Sequence, residues 1–204
     1  QRDEASDKAL TLRINAEFPH HLAKHCGKAG ARLIHFSTDC VFAGTKGNYT
    51  ESDSSDAADL YGQSKHQGEV SDAHSVTLRT SEIGHELGTN LALLDWFLSQ
   101  QFQAVNGYTK AIYSGFTTLE MARIVDLILT QHTGLSGVWH IASEPISKFA
   151  LLQLCREKLD WEGVIEPNDE FVCDRSLNAD RFNQATGYTP PSWEAMISEL
   201  AQQS

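Results

Sequence analysis

Tyr61 and Lys65 stand four residues apart. On a helix, positions i and i+4 share one face, so a phenol and an ammonium can enter the same cleft. A free tyrosine ionises near pH ~10, too high for easy proton exchange at neutral pH. A neighbouring Lys⁺ favours the phenolate. Such a tyrosine can protonate a carbonyl oxygen as hydride reaches its carbon, or take the proton back in reverse. Upstream, Ala31 to Phe36 reads as a strand that runs into Ser37-Thr38-Asp39. Ligands of open α/β sheets bind at the carboxyl ends of strands. A hydroxyl there can hydrogen-bond the same substrate oxygen as Tyr61. A lone Y-x-x-x-K also fits a surface tyrosine lying on a lysine stem, and the strand-end hydroxyls are what add weight to it.

Those side chains need a scaffold. Apolar spacing predicts a helix over Asp3–Cys26, stopped by Gly27 and interrupted by Pro19, which calls for a kink or a late start. Ser37–Ala57 is polar and turn-rich, a loop in which Asp53 and Asp56 read as turn formers. The Tyr/Lys helix is predicted over Asp59–Asp72, and a strand over Ser75–Arg79. Further helices are predicted at Thr89–Gln101, Thr117–Gln131, Lys148–Leu159 behind a Ser147 cap, and Ser192–Ala201, with a strand at Gly137–Ala142. Strands alternating with helices predict an α/β fold with a doubly wound parallel sheet.

The chain has 204 residues and a formal net charge of -11. It carries no Lys/Arg run of the kind that displaces counterions from nucleic acid, so no nucleic acid partner is expected. No apolar run approaches membrane-spanning length, and no membrane contact is expected. Cys26, Cys40, Cys155 and Cys173 form no C-x-x-C, which points to reduced thiols in a cytoplasm. His21 and His25 have ligand spacing, but no further partner completes a metal site, and a solvated helix face is the better account. Cys40, beside Asp39, is expected to be inert. The tryptophans read as core or interface anchors.

Three segments together resemble a known family. Ser37-Thr38-Asp39-Cys40-Val41-Phe42, Tyr49-Thr50-Glu51-Ser52-Asp53, and Tyr61-Gly62-Gln63-Ser64-Lys65 with Gly68-Glu69 are similar to the core of extended short-chain dehydrogenases/reductases, specifically the dTDP-4-dehydrorhamnose reductase group. Leu78-Arg79-Thr80-Ser81 resembles that group's strand end. A looser likeness continues through Arg175-Ser176-Leu177-Asn178 and Arg181-Phe182 to Pro191-Ser192-Trp193. The resemblance implies a partial Rossmann-like sheet over residues 1–80 and a mainly substrate-binding α/β region over 81–204, with about 103–131 returning to the first sheet. It implies Thr38, Tyr61 and Lys65 as catalytic residues, with Tyr61 as acid and Lys65 as its activator and ribose contact. Ser37 and Asn15 would join Tyr61 and Lys65 toward the cofactor, NADPH or NADH. Thr38, Asp39, Cys40, Arg79 and Arg175 would meet a nucleotide-linked sugar, Arg175 at its diphosphate. The implied reaction is reduction of the 4-keto group of a nucleotide-linked deoxysugar.

The chain also departs from that group. No strand-G-x-x-G-x-x-G-helix occurs in it, and Gly27 and Gly30 sit between a helix end and a strand start, the wrong polarity for a phosphate cradle. A truncated chain, inactive by itself and prone to self-association through an exposed sheet edge, is the expectation. Cys40 stands where the group usually has an aromatic residue. Two alternatives remain: an epimerase or dehydratase using the same Thr/Tyr/Lys set, and a non-catalytic sugar-nucleotide-binding protein.

Overall fold

The computed structural model describes residues 4–86 and 92–202. In chain order the strands are β1 (Leu33–Phe36), β2 (Ser75–Arg79), β3 (Glu82–Ile83), β4 (Ala104–Tyr113), β5 (Phe116–Thr117), β6 (Gly137–His140), β7 (Ile146–Ser147) and β8 (Val164–Asp174). The helices are α1 (Glu4–Leu12), α2 (Phe18–Ala29), α3 (Leu60–Gln67), α4 (Leu93–Ser99), α5 (Thr118–Thr130), α6 (Lys148–Lys158), α7 (Asp180–Thr186) and α8 (Trp193–Ala201). The first residues expected of the Thr89 helix lie outside the described residues.

The first sheet is parallel, in the order β1-β2-β6. Its central strand β2 is buried throughout. Of the three polar residues in it, Ser75 and Thr77 are small and Arg79 is paired with Glu69; Thr77 Oγ1 both donates to the Val70 carbonyl and accepts from its amide. A second sheet has the order β7-β4-β8, with β4 and β8 parallel. A short parallel pair, β3 and β5, forms a third, separate ladder. The expected return of 103–131 to the first sheet therefore needs correction. β4 pairs with β7 and β8, and β6 is the strand that joins β1 and β2. Of that stretch, α5 reaches the first sheet, its Ile128 carbonyl accepting from Arg32 just before β1. The strands β4 and β8 were not predicted at all.

The predicted first helix is real but contains a π turn over Arg13–Glu17, between α1 and α2. Proline has no N–H to give and its ring collides with the carbonyl four residues back. Pro19 would strike the Asn15 carbonyl, and the wider π turn relieves that contact, with Phe18 N–H bonding Arg13 O. The displaced Asn15 carbonyl lies against Gly68, where a Cβ would come within 1.8 Å of it. Gly30, in the left-handed region, ends α2 three residues later than Gly27 would have. The Asp59 side chain caps α3 by accepting from Gly62 N–H at 2.8 Å. α3 stops at Gln67, short of the predicted Asp72, because Gly68 caps it and Glu69 turns inward.

The main core runs through Leu78, Phe97, Phe116, Ile124, Leu151 and Met196. A smaller one, built on Val41, Phe42, Tyr49, Ala142 and Leu177, lies under the loop that links β1 to α3. Phe42 and Tyr49 stack there at 4.2 Å between ring centres. The loop is fastened further by Asp53, which accepts from Thr50 N–H at 2.8 Å, and by Asp56, which accepts from Ala43 N–H at 2.7 Å. Asp53 holds a local turn, as its type led one to expect, whereas Asp56 ties the loop back to a residue thirteen positions earlier. Trp139, Trp161 and Trp193 are buried in the main core, whereas Trp96 is part-exposed.

Candidate active site

A cleft of about 730 Å³ opens at the carboxyl ends of β1 and β2. Phe36, Ser37, Thr38, Tyr61 and Lys65 line one side, Thr80, Ser81 and Glu82 its floor, and Met121, Ala122 and Val125 of α5 the other wall. Chain segments distant in sequence thus converge where a parallel sheet places its ligands. Thr38 is held as the cap of a short 3₁₀ turn (Asp39–Val41), its Oγ1 accepting from Cys40 N–H at 3.2 Å. Thr38, Tyr61, Lys65 and Ser37 are brought together as the sequence predicted.

The electrostatics differ from expectation in one respect. Burial raises the Tyr61 phenol above its ordinary value; Cys40, Asp39 and Asp59 add to this, and a hydrogen bond with Thr38 opposes it. Lys65 is not among the largest causes of that shift. The Lys65 ammonium is drawn instead to the Phe36 carbonyl at 2.5 Å. Burial lowers Lys65 from its ordinary value, and Glu69 counters that loss. Tyr61 is therefore protonated at neutral pH and half-exposed at 51%, on the cleft that Thr38 also lines.

A smaller cavity of about 240 Å³ adjoins the cleft and shares Ser81 and Glu82 with it. Asp39, Cys40, Tyr113, Lys148, Phe171 and Arg175 are among its lining residues. Arg175 Nη1 donates to Cys40 Sγ at 3.2 Å, and Nη2 lies 4.0 Å from Asp59. Burial pushes the Cys40 thiol up to about 11, with Asp39 adding to the rise. Asp39 is itself raised by burial. Lys148, which sequence reasoning missed, supplies a second cation to this cavity. Its place in the first turn of α6 was a signal, because the helix macrodipole disfavours a cation there.

Two expected site residues lie elsewhere. Arg79 is buried and forks onto Glu69, with Nε and Nη2 each donating at 2.7 Å. It also stacks over the Phe42 ring. Its guanidinium is consumed inside the protein and lines neither cavity, so it is a structural residue, not a substrate contact. Asn15 faces α3, where its Nδ2 donates to Ser64 Oγ at 3.2 Å. It steadies the helix that carries Tyr61 and Lys65 and is not on the cleft wall.

Residues 2–204 match the family model described as the RmlD substrate binding domain. The chain belongs to that family. This RmlD-family chain is 30% identical over 217 residues to the spore coat polysaccharide biosynthesis protein SpsK of Bacillus subtilis, a match covering 100% of this chain and 75% of that protein. It is 25% identical over 211 residues to a dTDP-4-dehydrorhamnose reductase of Aggregatibacter actinomycetemcomitans, covering 92% of this chain and 72% of the relative. Its fold is similar to that of the Bacillus anthracis dTDP-4-dehydrorhamnose reductase solved in complex with NADP. The TM-score is 0.83 at 19% identity, over 100% of this chain and 76% of the other. The Rossmann-like α/β fold expected from the sequence is the fold observed.

Proposed function

We propose that the chain carries the catalytic and substrate-binding residues of an NAD(P)H-dependent reductase acting on the 4-keto group of a nucleotide-linked deoxysugar. The observation that carries this reading is the convergence of Thr38, Tyr61 and Lys65 on one cleft at the strand ends. The phenol carries its proton at neutral pH, and lending that proton to a carbonyl oxygen is what carbonyl reduction requires; its raised value means that bound substrate and cofactor must favour the transfer. Tyr61 gives its proton to the carbonyl oxygen, and Thr38 hydrogen-bonds that same oxygen. The Arg175 and Lys148 cations suit the diphosphate of the nucleotide.

The residues present fit one end of the cofactor. Apolar Phe36, Met121, Ala122 and Val125 with polar Ser37, Tyr61 and Lys65 can hold a nicotinamide and its ribose. When bound, NADPH or NADH supplies the hydride. The 204 residues contain no glycine-rich turn to take the cofactor's diphosphate. The 204-residue chain alone is accordingly expected not to turn over. Self-association belongs to the same proposal. Leu10, Ile14, Phe18 and Leu22 recur every four residues and stand exposed on the first long helix.

The test is NAD(P)H oxidation with a dTDP-4-keto-6-deoxysugar, comparing this chain with a form joined to a glycine-rich strand-turn-helix. Turnover is expected in the joined form, with Tyr61→Phe losing roughly 10²–10⁴-fold. Undiminished turnover in the variant would overturn the mechanism.

A further inference from the structure

We propose that Glu69, clasped by Arg79, is the positioning residue of the Tyr61/Lys65 cleft, holding the Ser37 end of β1 and standing as counter-charge to Lys65. Its significance for catalysis rests on the function proposed above, but its test does not require turnover.

The geometry is closed on all sides. Glu69 lies two residues beyond α3, and its side chain is buried beside that of Arg79. Oε1 accepts from Ser37 Oγ and Arg79 Nε, each at 2.7 Å. Oε2 accepts from Arg79 Nη2 at 2.7 Å and pairs with His66 Nδ1 at 3.0 Å. Lys65 Nζ bonds the carbonyl of Phe36, the residue next to Ser37. Ammonium and carboxylate therefore grip adjacent residues of the same strand end. The Ser37 hydroxyl gives its proton to Glu69, so its oxygen meets the cleft as an acceptor.

Arg79 is held in turn. Its Nη1 lies 3.2 Å from His140 Nε2, and His140 Nδ1 lies 2.9 Å from the Tyr49 carbonyl. A guanidinium only donates and a carbonyl only accepts. His140 is thereby fixed as the neutral imidazole with its proton on Nδ1. Burial depresses it to about 4, which agrees.

The charge balance gives Glu69 its role. Around Lys65 stand Glu69 beyond α3, Arg79 on β2, His35 on β1 with His20 of α2 beyond it, and Tyr61 and His66 on α3. Burial depresses His35 to about 4, which leaves it neutral. The residues that α5 adds to the cleft, Thr118, Met121, Ala122 and Val125, carry no charge. Glu82 also lines the cleft, but Glu69 is the anion that raises Lys65 against its burial. Arg79 bears on this only through Glu69, which it clasps at 2.7 Å. Burial that strips water from an ammonium favours its neutral form unless an anion remains close.

The experiment is a side-chain NMR titration of Lys65 in the 204-residue chain with labelled lysine. Glu69→Gln, which keeps the shape and removes the charge, is expected to move the Lys65 midpoint down. Arg79→Gln, which removes the cation that offsets Glu69, is expected to move it up. Ser37→Ala removes one hydrogen bond and no charge, and is expected to leave the midpoint in place. Equal or absent shifts in folded Glu69→Gln and Arg79→Gln would overturn the proposal. Should either variant not fold, the unaltered chain decides. Its Lys65 resonance is expected to step as Glu69 takes up its proton at low pH, and no step would overturn the proposal. If the titrations behave as expected while the joined form shows no reductase activity, the fault lies with the proposed function and not with the positioning role.

Discussion

His140 and His35 illustrate how single buried side chains shape pH behaviour. Desolvation is the largest cause lowering each of them, from 6.5 to about 4. Unfolded histidines take up protons near pH ~6.5, and these two do not do so in the folded chain until about 4. Between those values the unfolded chain binds more protons. Stability is therefore full above about 6.5 and falls as the pH drops toward 4. Denaturant midpoints at neutral and at mildly acid pH would show this, and equal midpoints would count against the burial of these rings. Cys40 offers a second check. Its thiol, pushed from 9.0 up to about 11, is expected to be alkylated about a hundredfold more slowly at mildly alkaline pH than an ordinary cysteine. Labelling at the ordinary rate would contradict its half-buried placement beside Asp39. At this scale Ser37, Thr38, Tyr61 and Lys65 were legible because they sit in two contiguous motifs. Arg79 was misread because a strand covered on both faces gives no clue to where each side chain points. Asn15 was misread because a helix facing another helix looks the same in sequence as one facing a ligand. Lys148 was passed over because its cavity is assembled from segments far apart in the chain, so its place in the first turn of α6 was the one local signal.

The elements divide along similar lines. Helices with a capping serine, threonine or aspartate were placed to within a residue or two at their starts, since the cap is a local chemical event. Ser147 and Thr117 each accept the amide three residues on, as Asp59 does. Strand β2 was found whole. Strands β4 and β8 were missed because neither carries a clear period of two. β8 contains Pro167, is largely exposed and buries Ile165 within its first few residues, as an edge strand can. The end of α3 was misjudged because Gly68 serves two purposes, as cap and as the surface that meets Asn15. That contact makes a prediction. Gly68→Ala would place a Cβ 1.8 Å from a backbone oxygen, which neither helix can yield cheaply. A loss of about 1–3 kcal/mol is expected, read from thermal or denaturant unfolding. A variant as stable as the parent would mean that the two helices do not meet this closely.

On the scale of the whole molecule, the first long helix has two working faces. Ala16, Pro19 and Ala23 are buried on one, and Asn15 and Gly68 lock it to the helix of Tyr61 and Lys65. The other presents Leu10, Ile14, Phe18 and Leu22, with Phe18 56% exposed. Light scattering of the 204-residue chain is expected to give a mass above that of one copy, and Phe18→Asp to reduce it. A monomer in both cases would remove self-association from the proposal. No helix among the described residues is long and apolar enough to cross a membrane. The π turn has a consequence for how such chains are compared. It winds an extra residue into the helix, so the two halves are out of step with a regular α-helix. Deleting one residue between Arg13 and Glu17 would restore regular winding, yet turn everything upstream by about 100° and draw it in by ~1.5 Å. Leu10 would swing out of line with Phe18 although no apolar side chain had been lost. A single-residue gap at this place in an alignment of related sequences would therefore record a change of helical phase, and with it a different exposed face.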